Sequence, residues 1–461
     1  MMHKHKNIVL SLVISLGWIS AYTQNTDLPQ LLERGKQNFP LLKAKDAEIK
    51  SSAQKVNMAR TDYIPSLTLG HQYTYATGNN VEGAFFPNEG MAFSPSGGIR
   101  PSNIYQPTFG SLTSALLDWK VVNFGKVSAG IKSAKAENSV YQADYEQEFF
   151  QYQVRLADAY LLSLVSHHLT AVQWSNLRRA ENFKNTIFAL VSSGLRPGID
   201  SSLAHAEYVK AQWLLLESEK NQKSYAYRLQ ELVGNFKDSL QLDSMKFSNQ
   251  LPQTEALGAL PSERSPILQM YKSYIQWSEA KSTVLKRAFY PSISVIGAAW
   301  ARGSGISNAD QTYRTDFYSG TQYQVYNYLV GVALRWNLSS YPKVRYSYQG
   351  ELAQKQRYQY LYESQYLGQA RALKEAEAQF MVSLQQAQLA PIQLEAARQA
   401  FAQAQARYEN GLTDLPTYTQ SLLTLNRAEA DHYVSYSNAW RALLMKSAAT
   451  GDFSSFLQQI R

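Results

Sequence analysis

Four stretches of the chain alternate apolar and polar residues in steps of two, and two much longer stretches repeat in steps of three and four. The alternating stretches, 66–75, 110–122, 291–302 and 326–338, predict β-strands. In the second, Thr113, Ala115, Leu117, Trp119 and Val121 fall on one face and Leu112, Ser114, Leu116, Asp118 and Lys120 on the other. A tilted strand of about ten residues is long enough to cross a bilayer. The loops between paired strands, 77–107 and 303–323, are long and rich in Gly, Asn and Ser, as on the outer face of a membrane barrel. Residues 127–193 and 344–410 predict two helices of roughly 100 Å each at 1.5 Å per residue. Their many alanines suit coiled-coil-like packing. In the second, Ala372, Ala376, Gln379, Ser383 and Gln386 share a weakly apolar stripe, and Pro391 predicts a kink or local break near Ala390. Gly194 and Gly411 are suited to end the two helices in the left-handed conformation. Asp200 or Ser201, and Thr413 or Asp414, are placed to cap the helices that follow, with Pro416 in the first turn of the second.

The same order of landmarks occurs twice. Asn38-Phe39-Pro40-Leu41-Leu42 returns as Arg264-Ser265-Pro266-Ile267-Leu268, and Tyr63-Ile64-Pro65-Ser66-Leu67 as Phe289-Tyr290-Pro291-Ser292-Ile293. Leu117-Asp118-Trp119 matches Leu334-Arg335-Trp336, and Phe124-Gly125-Lys126 matches Tyr341-Pro342-Lys343. Ser193-Gly194-Leu195 matches Asn410-Gly411-Leu412, and Ala211 matches Ala428. Landmarks recurring in one order at near-constant spacing mark an internal duplication. The organisation expected is a signal peptide over 1–23, a first repeat over 24–235, a linker over 236–263, a second repeat over 264–450 and a C-terminal tail over 451–461. Helical hairpins are expected at 194–200 and 411–416.

Composition narrows the function class. The N-terminus carries basic residues at Lys4 and Lys6, then an apolar run over 8–19, then Ala21-Tyr22-Thr23, which predicts export with cleavage before Gln24. No later run of about 20 apolar residues exists, so any membrane insertion must use a closed β-barrel. The chain holds 31 Tyr but no Cys, which favours amphipathic boundary positions and excludes disulfides, thiolate metal sites and a lipid-modified N-terminal Cys. Its net charge of +9 is scattered rather than blocked, so no nucleic acid is expected as a partner. None of the seven His has metal-ligand spacing; His167 and His168, adjacent on a helix, point apart. Nucleophile–base groupings, phosphate loops and paired carboxylates are not recognisable, so neither an enzyme, a metal site nor a cofactor is expected.

The duplicated helix–strand–strand–helix–helix unit, the Tyr-x-Pro-Ser-Leu entry into a strand, Asn123-Phe124-Gly125-Lys126 after the second strand and the Gly-Leu hairpins together resemble the TolC family of outer-membrane efflux proteins. The resemblance implies an α+β membrane protein: a homotrimer in which each chain gives four strands to a shared twelve-stranded β-barrel in outer-membrane lipid, above a coiled-coil-like α-barrel in the periplasm. It implies a passive exit duct of an efflux pump or type I secretion system, working with a periplasmic adaptor and an inner-membrane pump. Four strands cannot close a barrel, so oligomerisation is required if they insert. The resemblance also implies a periplasmic gate in which Asp200 and Tyr408 hydrogen-bond. Where the family carries an Arg and pore-lining aspartates, this chain has Thr413, Thr417 and Gln420; Arg196 and Asp414 offer charges nearby. A rival class, an exported periplasmic coiled-coil scaffold or adaptor without channel activity, shares the long helices and predicts soluble fractionation.

Overall fold

The computed structural model describes residues 27–79, 102–236, 242–243, 245–254, 262–307, 309–310 and 312–460. The expected signal peptide and most of the loop 77–107 lie outside them. The chain divides into two compact units, each drawing on both repeats: one from 41–148 and 261–370, the other from the described residues of 1–40, 149–260 and 371–461.

The first unit contains the sheet. Strands β1 (Ser66–Ala76), β2 (Thr108–Val122), β3 (Ser292–Ser304) and β4 (Val325–Arg335) pair antiparallel in that order. Each repeat thus supplies one hairpin, and β1 and β4 are the outer strands. Leu67, Leu117, Gly297 and Val330 stand in one row of the register, and Ser66, Asp118, Ile296 and Gly331 in the next. Because side chains alternate, the first row continues into a face of Leu69, Ala115, Ala299, Tyr328 and Val332. That face is exposed: Leu69 is 75%, Tyr328 85% and Val330 76% accessible. On the other face Arg335 donates to Asp118 across β3 at 2.6 Å. β4 stops at Arg335, short of the predicted 338, because Leu338–Ser340 turns into a 3-10 helix. The loop before it is not structureless: α7 (Phe317–Thr321) is capped by Asp316 and rests Phe317 on Phe109 and Tyr73.

The duplication is visible in how helices enter strands. α2 (Pro40–Thr61) precedes β1 and α6 (Pro266–Arg287) precedes β3. The Trp119 indole donates to the Tyr63 carbonyl at 3.1 Å, and the Trp336 indole to that of Phe289 at 3.0 Å. These matched tryptophans therefore tie off matched helix ends. Small residues repeat as well: Ser52 and Ser278 are both buried, the first accepting from Asn138 and the second donating to Glu351.

The second unit is helical. It holds α1 (Leu28–Asn38), α4 (Gly198–Val233), α5 (Met245–Asn249), α9 (Leu415–Thr450), α10 (Ser454–Ile460) and the later parts of α3 (Lys126–Ser192) and α8 (Tyr341–Glu409). α5 and α10 fall in the stretches expected as linker and tail. The segment around α5 is pinned by buried aromatic groups: Tyr160 donates to the Asp243 carbonyl and Trp440 to that of Gln250. Along α8, Leu373, Phe380, Ala387 and Leu394 are buried at intervals of seven, with Ser383 and Ala390 between them, and Ala397, Ala404 and Tyr408 continue the seam. This is the three–four seam of a coiled coil. It displaces the predicted stripe: Gln379 and Gln386 are exposed, and only Ser383 of that set is buried. α8 also runs unbroken through Pro391. The ring removes one hydrogen bond, but it stands beside the seam, where Ala387, Ala390 and Leu394 pack and hold the helix.

Candidate functional site

The candidate residues gather where α3 turns into α4 and α8 into α9, all within the helical unit. The two turns share one backbone device. Gly194 has φ +73° and Gly411 φ +76°. Leu195 N–H returns to the Leu190 carbonyl at 2.9 Å and Leu412 N–H to that of Arg407 at 2.8 Å. Each helix therefore ends in a Schellman motif that satisfies its last carbonyls.

The helix starts differ. α9 is capped by Asp414, whose carboxylate accepts from Thr417 N–H at 3.2 Å, with Pro416 in the first turn. Hydrogen bonding from Thr417 holds the Asp414 carboxyl below the usual carboxylate range. α4 starts at Gly198 after Pro197, without a side-chain cap. Asp200 and Ser201 are thus not caps: the extended backbone ends at Pro197, so the helix has already begun when Asp200 is reached, and Asp200 stands in its first turn.

Its carboxylate faces the other hairpin. The Tyr408 hydroxyl donates to Asp200 Oδ2 at 3.5 Å, the long limit of a hydrogen bond. Arg196 makes the closer contact, donating to the Tyr408 carbonyl at 3.0 Å with its guanidinium 4.6 Å from the ring centre. Tyr408 is 2% exposed, and burial, then the Asp200 charge, push its phenol pKa up. Arg196, Asp200 and Tyr408 therefore form one cluster across two hairpins. Asp414 is engaged in its own helix, Thr413 lies half-buried in the turn, and Thr417 and Gln420 are exposed on α9.

Residues that the sequence did not single out complete the site. Phe183 stacks on Tyr418 with ring centres 4.0 Å apart, and Tyr408 packs against both. Ile187, Ala204, Leu415 and Leu422 close this core. Arg179 grips Glu429 through two nitrogens, at 3.2 and 2.6 Å. A cavity of about 130 Å³ lies between Arg179, Phe183 and Tyr418 on one side and Tyr408 and Glu409 on the other. Only the spacing of Tyr418 from Leu415 and Leu422 hints at this core locally; Arg179 and Glu429 are 250 positions apart and give no local signal. Among the described residues, no helix is long and apolar enough to cross a membrane, and no group of three His, Asp or Glu could hold a metal ion.

The outer membrane efflux protein family model matches residues 31–235 and 260–442. Among solved structures, the chain is similar to the outer-membrane channel OprN at 18% identity and a TM-score of 0.72, covering 92% of this chain and 89% of that one. It is similar to the Campylobacter jejuni CmeC outer membrane channel at 13% identity and a TM-score of 0.74, covering 99% and 97%. A third similarity is to the open state of the Neisseria gonorrhoeae MtrE outer membrane channel, at 15% identity and a TM-score of 0.70, covering 92% and 89%. No curated protein sequence matches the chain significantly.

Proposed function

The chain belongs to the outer membrane efflux protein family, and from that premise we propose that it is the exit duct of a tripartite efflux pump or type I secretion system, closed at its periplasmic end by the two helical hairpins. It is an outer-membrane channel component with its helical part in the periplasm. Three copies would place β1 of one chain beside β4 of the next, so that every edge is paired and the barrel has twelve strands. The observation that carries this reading is the exposed apolar face of the sheet. Along β2, Trp119 stands exposed at one end of that face, and Phe109, ten residues and about 33 Å of strand away, lies half-buried under Phe317 at the other. Tilted by about 40°, that span matches the roughly 25 Å apolar band between aromatic girdles of an outer-membrane barrel. Asp118 and Arg335, on the opposite face, would line the aqueous lumen. An adaptor and an inner-membrane pump supply the cargo and the work, and passage through the duct needs no catalytic group.

We assign the gate to Tyr408, Asp200 and Arg196. Separation of the hairpins must strip Arg196 from the Tyr408 carbonyl and ring and break the hydroxyl–carboxylate bond. Asp414, Thr413, Thr417, Gln420 and the turn glycines Gly194 and Gly411 belong to the same aperture but hold their own turn or stay open to solvent. Planar-bilayer conductance of the purified trimer tests this. Small wild-type currents should grow in Asp200→Ala and in Tyr408→Phe. Equal currents in all three proteins would leave the channel and remove the latch. No conductance, from protein that fractionates as soluble, would favour the periplasmic scaffold instead.

A further inference from the structure

We propose that Arg179 and Glu429 form a clasp that sets where the two hairpins begin to part, so that only the segments between clasp and tips swing on opening. The inference rests on the gating assignment above and adds to it the length of the moving part.

Arg179 is on α3 and Glu429 on α9, so the pair joins the first hairpin to the second. Both carboxylate oxygens are engaged, and the side chains are only 22% and 16% exposed. A two-pronged guanidinium–carboxylate pair, partly shielded from solvent, is among the stronger polar contacts available to a helix bundle. Glu429 falls in step with the buried Leu415, Tyr418, Leu422 and Leu425, at three- and four-residue intervals along α9. A charge in an otherwise apolar seam weakens general adhesion but selects one register against its partner. Here the selected partner is Arg179.

The pair is level on its two helices. Arg179 stands fifteen residues before Gly194 and Glu429 fifteen after Asp414, about 22 Å of helix in each case. The contact is not inherited from the duplication: by the landmark alignment, Arg179 corresponds to Ala396 and Glu429 to Gln212. Between the clasp and the tips, the core around Phe183, Tyr408 and Tyr418 leaves a cavity of about 130 Å³ that Arg179 also lines. Walls facing a void have little dispersion contact to lose when they shear. At the far side the latch hydroxyl is 3.5 Å from its acceptor. The geometry therefore orders the events, with latch release first, yielding of the cavity second, and a stop at Arg179–Glu429.

The test uses the intact trimer. In an Asp200→Ala background, Arg179→Met or Glu429→Gln should raise open-state occupancy in planar bilayers by about tenfold, the shift expected on losing a charge-assisted contact. The exchanged pair Arg179→Glu with Glu429→Arg should return it toward the Asp200→Ala value, which a general loss of packing would not do. Because the chain lacks Cys, two spin-label pairs can be placed cleanly. Leu195→Cys with Leu412→Cys reads the tips, and Trp174→Cys with Asn438→Cys reads the helices beyond the clasp. Asp200→Ala should broaden the first distance distribution alone, and adding Arg179→Met should broaden both. Clasp variants without effect on occupancy, or a second distance that already broadens in Asp200→Ala, would overturn the clasp. A failure of Asp200→Ala to change either current or tip distance would instead overturn the gating assignment.

Discussion

The two hairpins descend from equivalent stretches of a duplicated chain, share a Gly-ended Schellman turn, and yet secure their second helices by different means. The second turn is self-sufficient, since Asp414 caps α9 from within. The first has no side-chain cap, and Arg196 and Asp200 reach instead to Tyr408 on the other hairpin. Duplication kept the backbone device, which any helix end needs, and let the side chains diverge toward a contact between the copies. A helix start that commits its acidic residue to a neighbour has lost a local stabiliser and gained a connection that can be broken.

The strongest perturbation of this comparison is Tyr418→Ala. Tyr418 is 4% exposed, burial pushes its phenol up to about 12, and its ring serves both hairpins. Its deletion should cost about 3–5 kcal/mol, the range for emptying a buried aromatic site. Hydrogen exchange should accelerate in both hairpins; acceleration confined to α8 and α9 would show that the core is not shared.

Next come Gly194→Ala and Gly411→Ala. A Cβ at either glycine meets nothing within 4 Å, so the penalty is conformational alone, about 1–2 kcal/mol in each hairpin. Thermal melting of the two variants should agree, and a clear inequality would mean that one tip is constrained beyond its own turn.

Asp414→Ala should have the smallest effect, faster exchange in the first turn of α9 with α4 untouched. Its pH dependence follows from the lowered pKa. The unfolded state binds the proton more readily, so the cap's contribution is complete above the unfolded value near 4 and is lost as pH falls through the folded one. Exchange in wild type and variant should therefore differ at neutral pH and converge in acid. Asp200→Ala should instead quicken exchange at the start of α4, because its carboxylate secures that turn through Tyr408 rather than as a cap.

Much of the fold was legible because it rests on local chemistry. Pro65 and Pro291 mark strand entries, and Gly194 and Gly411 mark helix ends, since few residues adopt those backbone conformations at low cost. The period of the long helices was legible but its phase was not. Ser383 alone of the predicted stripe is buried, and the true seam runs through Leu373, Phe380, Ala387 and Leu394. With alanines on several faces, only the neighbouring helices decide which face is covered. At Pro391 no break occurs, because tertiary packing outweighs one missing hydrogen bond. Trp119 and Trp336 are legible in the sequence only as matched landmarks, and that their indoles tie off helix ends is visible only when the Tyr63 and Phe289 carbonyls are in place.

The sequence by itself determined the duplication, the four strands, the two long helices and their turns, because each depends on backbone preference or on periodicity within a few residues. Tertiary structure alone decided that Arg196 lies over Tyr408 and that Arg179 meets Glu429. Those contacts join residues more than 200 positions apart, and no local preference encodes them. They arise because heptad packing brings the ends of four helices to one place and burial then makes each polar group find a partner.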